Sequence, residues 1–172
     1  GHSSHSENGV AIPQKESLNK LFMRTPGLPV LNVLFPDGTE RPYWNTFYQK
    51  VSEDLSILGQ MDVNANSELV WDFYEETLSK LKDYGCQILR LDAFAYLHKE
   101  VGQSNFFNKP GTWQYLDRIK QIAVKNDLML LPEIHAEYGI GLHEEVASKG
   151  YHIYDFFLPG LMIYSIENGT SK

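Results

Sequence analysis

Gln87-Ile88-Leu89-Arg90-Leu91-Asp92-Ala93 and Leu128-Met129-Leu130-Leu131-Pro132-Glu133-Ile134-His135 are two short apolar runs that each break into polar residues at the end. The residues around them keep a different period. Over 67–84, Leu69, Phe73, Thr77 and Leu81 recur every fourth residue beside Val70, Tyr74 and Leu78, and Gly85 follows. That spacing predicts an amphipathic helix stopped at a glycine. Thr112 is expected to cap a second helix, buried through Trp113, Leu116, Ile119 and Ala123. A shorter helix over 142–149 leads to an expected third strand over 151–154. The unbroken Leu128-Met129-Leu130-Leu131 predicts a strand buried on both faces. Strands alternating with helices give an α/β class, with a parallel sheet of right-handed βαβ units.

The N-terminal part reads differently. Residues 1–17 are mostly polar and aperiodic, and are expected to form a flexible, frayed segment. Arg24-Thr25-Pro26-Gly27-Leu28-Pro29 is a turn by composition. Residues 30–35 and 41–48 flank Pro36-Asp37-Gly38-Thr39, which predicts a hairpin.

With 172 residues the chain can bury a real core. A net charge of −7 argues against nucleic acid, whose phosphates need a lysine- and arginine-rich surface. No apolar run approaches the roughly 18 residues of a membrane helix, and the first residues lack the apolar stretch of a signal peptide. The single cysteine, Cys86, excludes an internal disulfide and reads as a small buried hydrophobe. A cytoplasmic protein is the expectation.

In parallel sheets, chemistry collects where strands end. Arg90 and Asp92 share one face of the first strand by period-two alternation, and Glu133 and His135 share one face beyond the second. Neighbouring strands lie about 5 Å apart, so the two acids can meet at one pocket mouth. Two carboxylates at about that separation suit a retaining glycosidase: one attacks the anomeric carbon and the other protonates the leaving oxygen. An arginine beside Asp92 suits the nucleophile; Glu133, with no cation on its own strand, suits the acid/base. Acids at strand ends also cap helices or bind backbone amides, and an Arg-x-Asp pair also serves as a plain salt bridge. Spacing alone leaves both readings open.

Longer motifs add a resemblance. Ile88-Leu89-Arg90-Leu91-Asp92-Ala93 continuing into Tyr96-Leu97-His98-Lys99-Glu100-Val101-Gly102 resembles the fourth-strand signature of the α-amylase family of glycoside hydrolases, most of all its sucrose phosphorylase branch. Leu131-Pro132-Glu133-Ile134-His135 resembles the fifth-strand motif. The 24–29 turn, Trp44-Asn45-Thr46-Phe47 with Gln60-Met61-Asp62-Val63-Asn64, and Glu145-Val146-Ala147-Ser148-Lys149 with Tyr154-Asp155-Phe156-Phe157-Leu158-Pro159 resemble further segments of that branch, in order.

The resemblance implies a partial (β/α)8 barrel, about strands four to six with their helices, over 66–172. Residues 18–65 would be part of the inserted B-domain. Asp92 would be the nucleophile and Glu133 the acid/base; Arg90 would orient Asp92 and the sugar, and His135 would sit in the acceptor region or behind it. The implied reaction is double displacement at an α-glucosidic bond through a glucosyl–Asp92 intermediate. Phosphate would be the co-substrate of a phosphorylase and water that of an amylase-type α-glucosidase; a catalytically inactive barrel fragment or carbohydrate-binding remnant is the third reading. No cofactor and no metal are implied. His135, Glu137, His143, Glu144 and Glu145 crowd together without the helical His-x-x-x-His spacing of zinc hydrolases. Phe94, Tyr96, Phe106 and Phe107 are expected either to stack on sugars or to pack in the core. The family's third aspartate, after the seventh strand, and its Asp-x-x-x-x-Asn-His motif, after the third, have no counterpart at the matching places. The expectation is therefore the middle of a barrel, with little or no activity alone, self-associating or packing with the missing half.

Overall fold

The computed structural model describes residues 20–22, 29–47, 49–50, 57–58, 61–137, 139–154 and 156–169, with backbone alone at 49–50 and 57–58. Expectations for 1–17, for most of the 24–29 turn and for Gln60 lie outside them. The chain divides into two units, one of residues 1–76 with 95–119, the other of 77–94 with 120–172. Two of the three boundaries fall inside the helices α1 (Glu68–Asp83) and α2 (Gly111–Lys125), and the third lies between Phe94 and Ala95.

In the first unit the expected hairpin forms from β1 (Val30–Leu34) and β2 (Glu40–Trp44), antiparallel, with Val30 opposite Trp44. Gly38 takes the left-handed conformation that closes the turn (φ 82°). The Asp37 carboxylate accepts bonds from the Thr39 amide at 2.9 Å and hydroxyl at 2.7 Å, and these hold it below its ordinary carboxylate range. A second antiparallel pair joins β3 (Gln49–Lys50) to β4 (Ile57–Leu58).

After β2, Asn45 and Thr46 are fully buried. Asp62 accepts from the Thr46 amide at 3.3 Å and hydroxyl at 2.5 Å, and its other partner is the Lys99 ammonium at 3.0 Å. Burial pulls Lys99 below its ordinary value, and Asp62 resists that shift. Asn64 and Asn66 shape the entry to α1: Asn64 accepts the Asn66 amide at 3.1 Å, and Asn66 accepts the Tyr115 hydroxyl at 2.8 Å. Trp71, buried in α1, lies 5.4 Å from Tyr115 of α2, with the Arg118 guanidinium 4.3 Å from its ring centre.

The buried face of α1 differs from the expected column. Trp71 and Leu78 are buried and Tyr74 is half-buried, whereas Leu69 and Phe73 are 77% and 61% exposed. Four residues advance a helix by about 400°, so an every-fourth column creeps about 40° per step around the cylinder. The 69–73–77–81 column starts in solvent and is only half-buried at Thr77 and Leu81. Thr112 is also not the cap: α2 begins one residue earlier, and the buried Thr112 hydroxyl has no hydrogen-bond partner. Its amide instead donates to Asn108 O at 2.8 Å.

The second unit holds the parallel pair. β5 (Ile88–Leu91) and β6 (Met129–Pro132) align Ile88 with Met129 and Leu91 with Pro132. Leu130 and Pro132 are buried, but Ile88 and Met129 are 57% and 47% exposed. The expectation of two covered faces is thus corrected: one face of this pair is covered and the other is open. Behind β6, Ile134 and Val146 are fully enclosed, with Leu142 also buried; the last two belong to α3 (Leu142–Ser148). The expected third strand does not form among the described residues. Residues 151–154 carry no ladder; Tyr151 is buried and Tyr154 is exposed. A final helix, α4 (Leu158–Asn168), buries none of its residues and exposes Leu161, Met162, Ile163 and Ile166. Among the described residues no helix is long and apolar enough to cross a membrane.

Candidate active site

The candidate side chains all lie in the second unit, at the carboxyl ends of β5 and β6. The Glu133 amide donates to Leu91 O at 3.0 Å, extending the ladder by one bond and bringing Asp92 and Glu133 level on neighbouring strands. Beyond Asp92 the chain turns through Ala93, a non-glycine residue at φ 52°. Such a conformation crowds Cβ against the carbonyl, so the sharp exit from the strand carries strain.

Arg90 connects the two acids. Its guanidinium is hydrogen-bonded to the Glu133 carboxylate, while Asp92 Oδ2 lies 3.9 Å from Nη1, beyond hydrogen-bond range. The cation that Glu133 lacks on its own strand reaches it from the next one. The Glu133 side chain is 15% exposed and that of Asp92 74% exposed, so one acid is enclosed and the other open. His135 is exposed, and its ring stacks on Phe156 at 4.8 Å with an interplanar angle of 19°.

Two side chains escaped the sequence reading. Tyr154 lies with its ring centre 5.5 Å from the Arg90 guanidinium, and it meets Phe156 at 4.7 Å. Aromatics two residues apart, Tyr154 and Phe156, are the signal that the sequence offers for them.

Other candidates are drawn into the fold. Phe94 and Phe107 are buried, while Tyr96 and Phe106 are half-buried and pack 5.0 Å apart. His143 bonds through Nε2 with Ile134 O at 3.1 Å, so it is an anchor of α3 rather than a free surface group. Among the described residues no three His, Cys, Asp or Glu side chains are gathered to hold a metal ion.

No protein-family profile matches the chain. It is 55% identical over 174 residues to a sucrose 6(F)-phosphate phosphorylase of Ilumatobacter coccineus, covering 99% of this chain and 33% of that protein. It is 34% identical to a sucrose phosphorylase of Streptococcus mutans, covering 90% of this chain and 30% of the relative. The crystal structure of sucrose 6F-phosphate phosphorylase from Thermoanaerobacter thermosaccharolyticum superposes with a TM-score of 0.79 at 30% identity, over 97% of this chain and 32% of that one. The chain spans about a third of the length of the relatives it matches. Motifs, order and fold agree, and the chain belongs to the sucrose phosphorylase branch of the α-amylase family of glycoside hydrolases.

Proposed function

We propose that the protein carrying this chain is a retaining α-glucosyl phosphorylase acting on sucrose or its 6F-phosphate, with β5 and β6 as neighbouring strands of a (β/α)8 barrel. The observation that carries the reading is the pair of acids at adjacent strand ends sharing one arginine. Asp92, the open carboxylate, attacks the anomeric carbon; the glycosidic C–O bond breaks, and the fructosyl oxygen takes a proton from Glu133. A phosphate oxygen then attacks the glucosyl–Asp92 ester, Asp92 leaves, and Glu133 takes the proton back. Glucose 1-phosphate is the product, and no cofactor is consumed.

Arg90 has two positions in this scheme. In the structure it is paired with Glu133. For Glu133 to carry its proton, the guanidinium must let go of it when sugar enters and turn to Asp92 and the substrate. The open sheet face at Ile88 and Met129 and the apolar α4 support packing with further barrel strands or a second copy.

The test is to supply sucrose and sucrose 6F-phosphate separately, each with inorganic phosphate, and assay glucose 1-phosphate. Its release from either donor is expected, and the preferred donor assigns the substrate. Free glucose alone would refute phosphorolysis in favour of an α-glucosidase. Asp92→Asn should abolish both products; persistent turnover would refute the nucleophile.

A further inference from the structure

We propose that Tyr154 and Phe156 are positioning residues, which hold Arg90 and His135 in place by their ring faces. The inference deepens the proposed function and rests on it for its kinetic part only. Arg90 stands on β5 and His135 three residues beyond the end of β6, and both are substantially exposed. Long or exposed polar side chains wander unless something fixes them. His135 has no described hydrogen bond; what meets its ring is Phe156, nearly parallel at 4.8 Å. The Arg90 guanidinium lies 5.5 Å from the Tyr154 ring centre, inside the range where a cation is attracted to a π face. Tyr154 and Phe156 touch each other at 4.7 Å. The four side chains therefore form one chain of contacts, guanidinium to phenol to phenyl to imidazole, stacked at the Phe156–His135 step and tilted by 51° at the Tyr154–Phe156 step.

One short segment reaches both targets. Residues 151–154 carry no ladder, and the rings of Tyr154 and Phe156 meet 4.7 Å apart. A ladder would have pinned this segment by its amides. Here the rings fasten it, and the same rings fasten the site. An arginine that must leave Glu133 and turn to the sugar needs a surface to pivot on, and the face of Tyr154 provides one without competing for hydrogen bonds.

The test has a spectroscopic arm on this chain and a kinetic arm on the full-length protein. By NMR, His135 ring protons should move downfield in Phe156→Leu, and the Arg90 Nε–H signal should move in Tyr154→Leu. Tyr154→Phe should leave the Arg90 signal close to its original position. Unmoved signals in the leucine variants would overturn the proposal whatever the enzyme does. In kinetics, Tyr154→Leu should lower kcat roughly tenfold with the donor KM little changed, since misplacing a reacting group costs rate more than binding. Tyr154→Phe should retain activity, because the ring face remains. Equal losses in Tyr154→Phe and Tyr154→Leu would overturn the positioning role. A wild-type protein that releases no glucose 1-phosphate would refute the function reading instead, and the NMR arm would still decide this one.

Discussion

Gly111 opens α2, and replacing it with alanine should destabilise the protein, although alanine is the better helix former. A Cβ at position 111 would lie 2.1 Å from Cδ2 and Nε2 of His98 and 2.5 Å from Cγ. No carbon tolerates three ring atoms that close, so the imidazole must swing away. His98 cannot do so freely. Its ring packs 5.4 Å from Tyr115, its Nδ1 is buried without a partner, and its carbonyl accepts Asn108 Nδ2 at 3.4 Å. Overpacking of this kind costs about 1–3 kcal/mol. Against it stands the helix propensity gained over glycine, at most about 1 kcal/mol and less in a first turn. The net expectation is a loss of about 1–2 kcal/mol, or roughly 2–8 °C in Tm for a chain of this size. Urea denaturation of Gly111→Ala, His98→Ala and the double variant completes a cycle. In the His98→Ala background the glycine replacement should become neutral or stabilising, giving a coupling of about 1–3 kcal/mol. A single Gly111→Ala variant as stable as the parent would refute the contact, and so would additive effects.

Three further expectations follow from the same kind of reasoning. Lys99→Met strips Asp62 of its buried cation and should cost about 3 kcal/mol in urea denaturation, part of it recovered by adding Asp62→Asn; a change within about 0.5 kcal/mol would show that the pair does not matter. Burial raises the Tyr96 phenol above its ordinary value near 10. The unfolded phenol therefore ionises first, and the stability it contributes is full below about pH 10 and lost as pH rises through the higher folded value. Tyr96→Phe should flatten that alkaline decline, and an unaltered slope would refute it. Ala93 is left-handed, so Ala93→Gly should gain up to about 1 kcal/mol and Ala93→Val should lose at least as much, measured by thermal melting.

The legible features were those set by local period and by chain direction. The helix of Glu68–Asp83, the hairpin turn at Asp37 and Gly38, and the two strands ending in Asp92 and Glu133 are stated by spacing, turn chemistry and apolar runs. What failed depended on neighbours. Residues 151–154 have strand-favouring side chains, but a strand exists only when another strand offers its amides, which no sequence window can reveal. Leu69 and Phe73 look like core until the helix is turned against its actual partners. The spacing of Arg90 and Asp92 points to their ion pair at 3.9 Å, but it cannot show the hydrogen bond of Arg90 to Glu133, 43 residues away. The Asp62–Lys99 pair, 37 positions apart, was hidden for the same reason.

The ladder between β5 and β6 works as a measuring gauge. It is four residues long on each side, and it fixes Leu91 against Pro132 so that the next residue of each strand is an acid. Because side chains alternate, adding or removing one residue between Ile88 and Asp92 would carry Asp92 to the opposite face while Glu133 stayed where it is. Leu89, Leu91 and Leu130 can therefore be exchanged for other apolar residues far more safely than they can be deleted. At these strands the molecule is more tolerant of spelling than of counting.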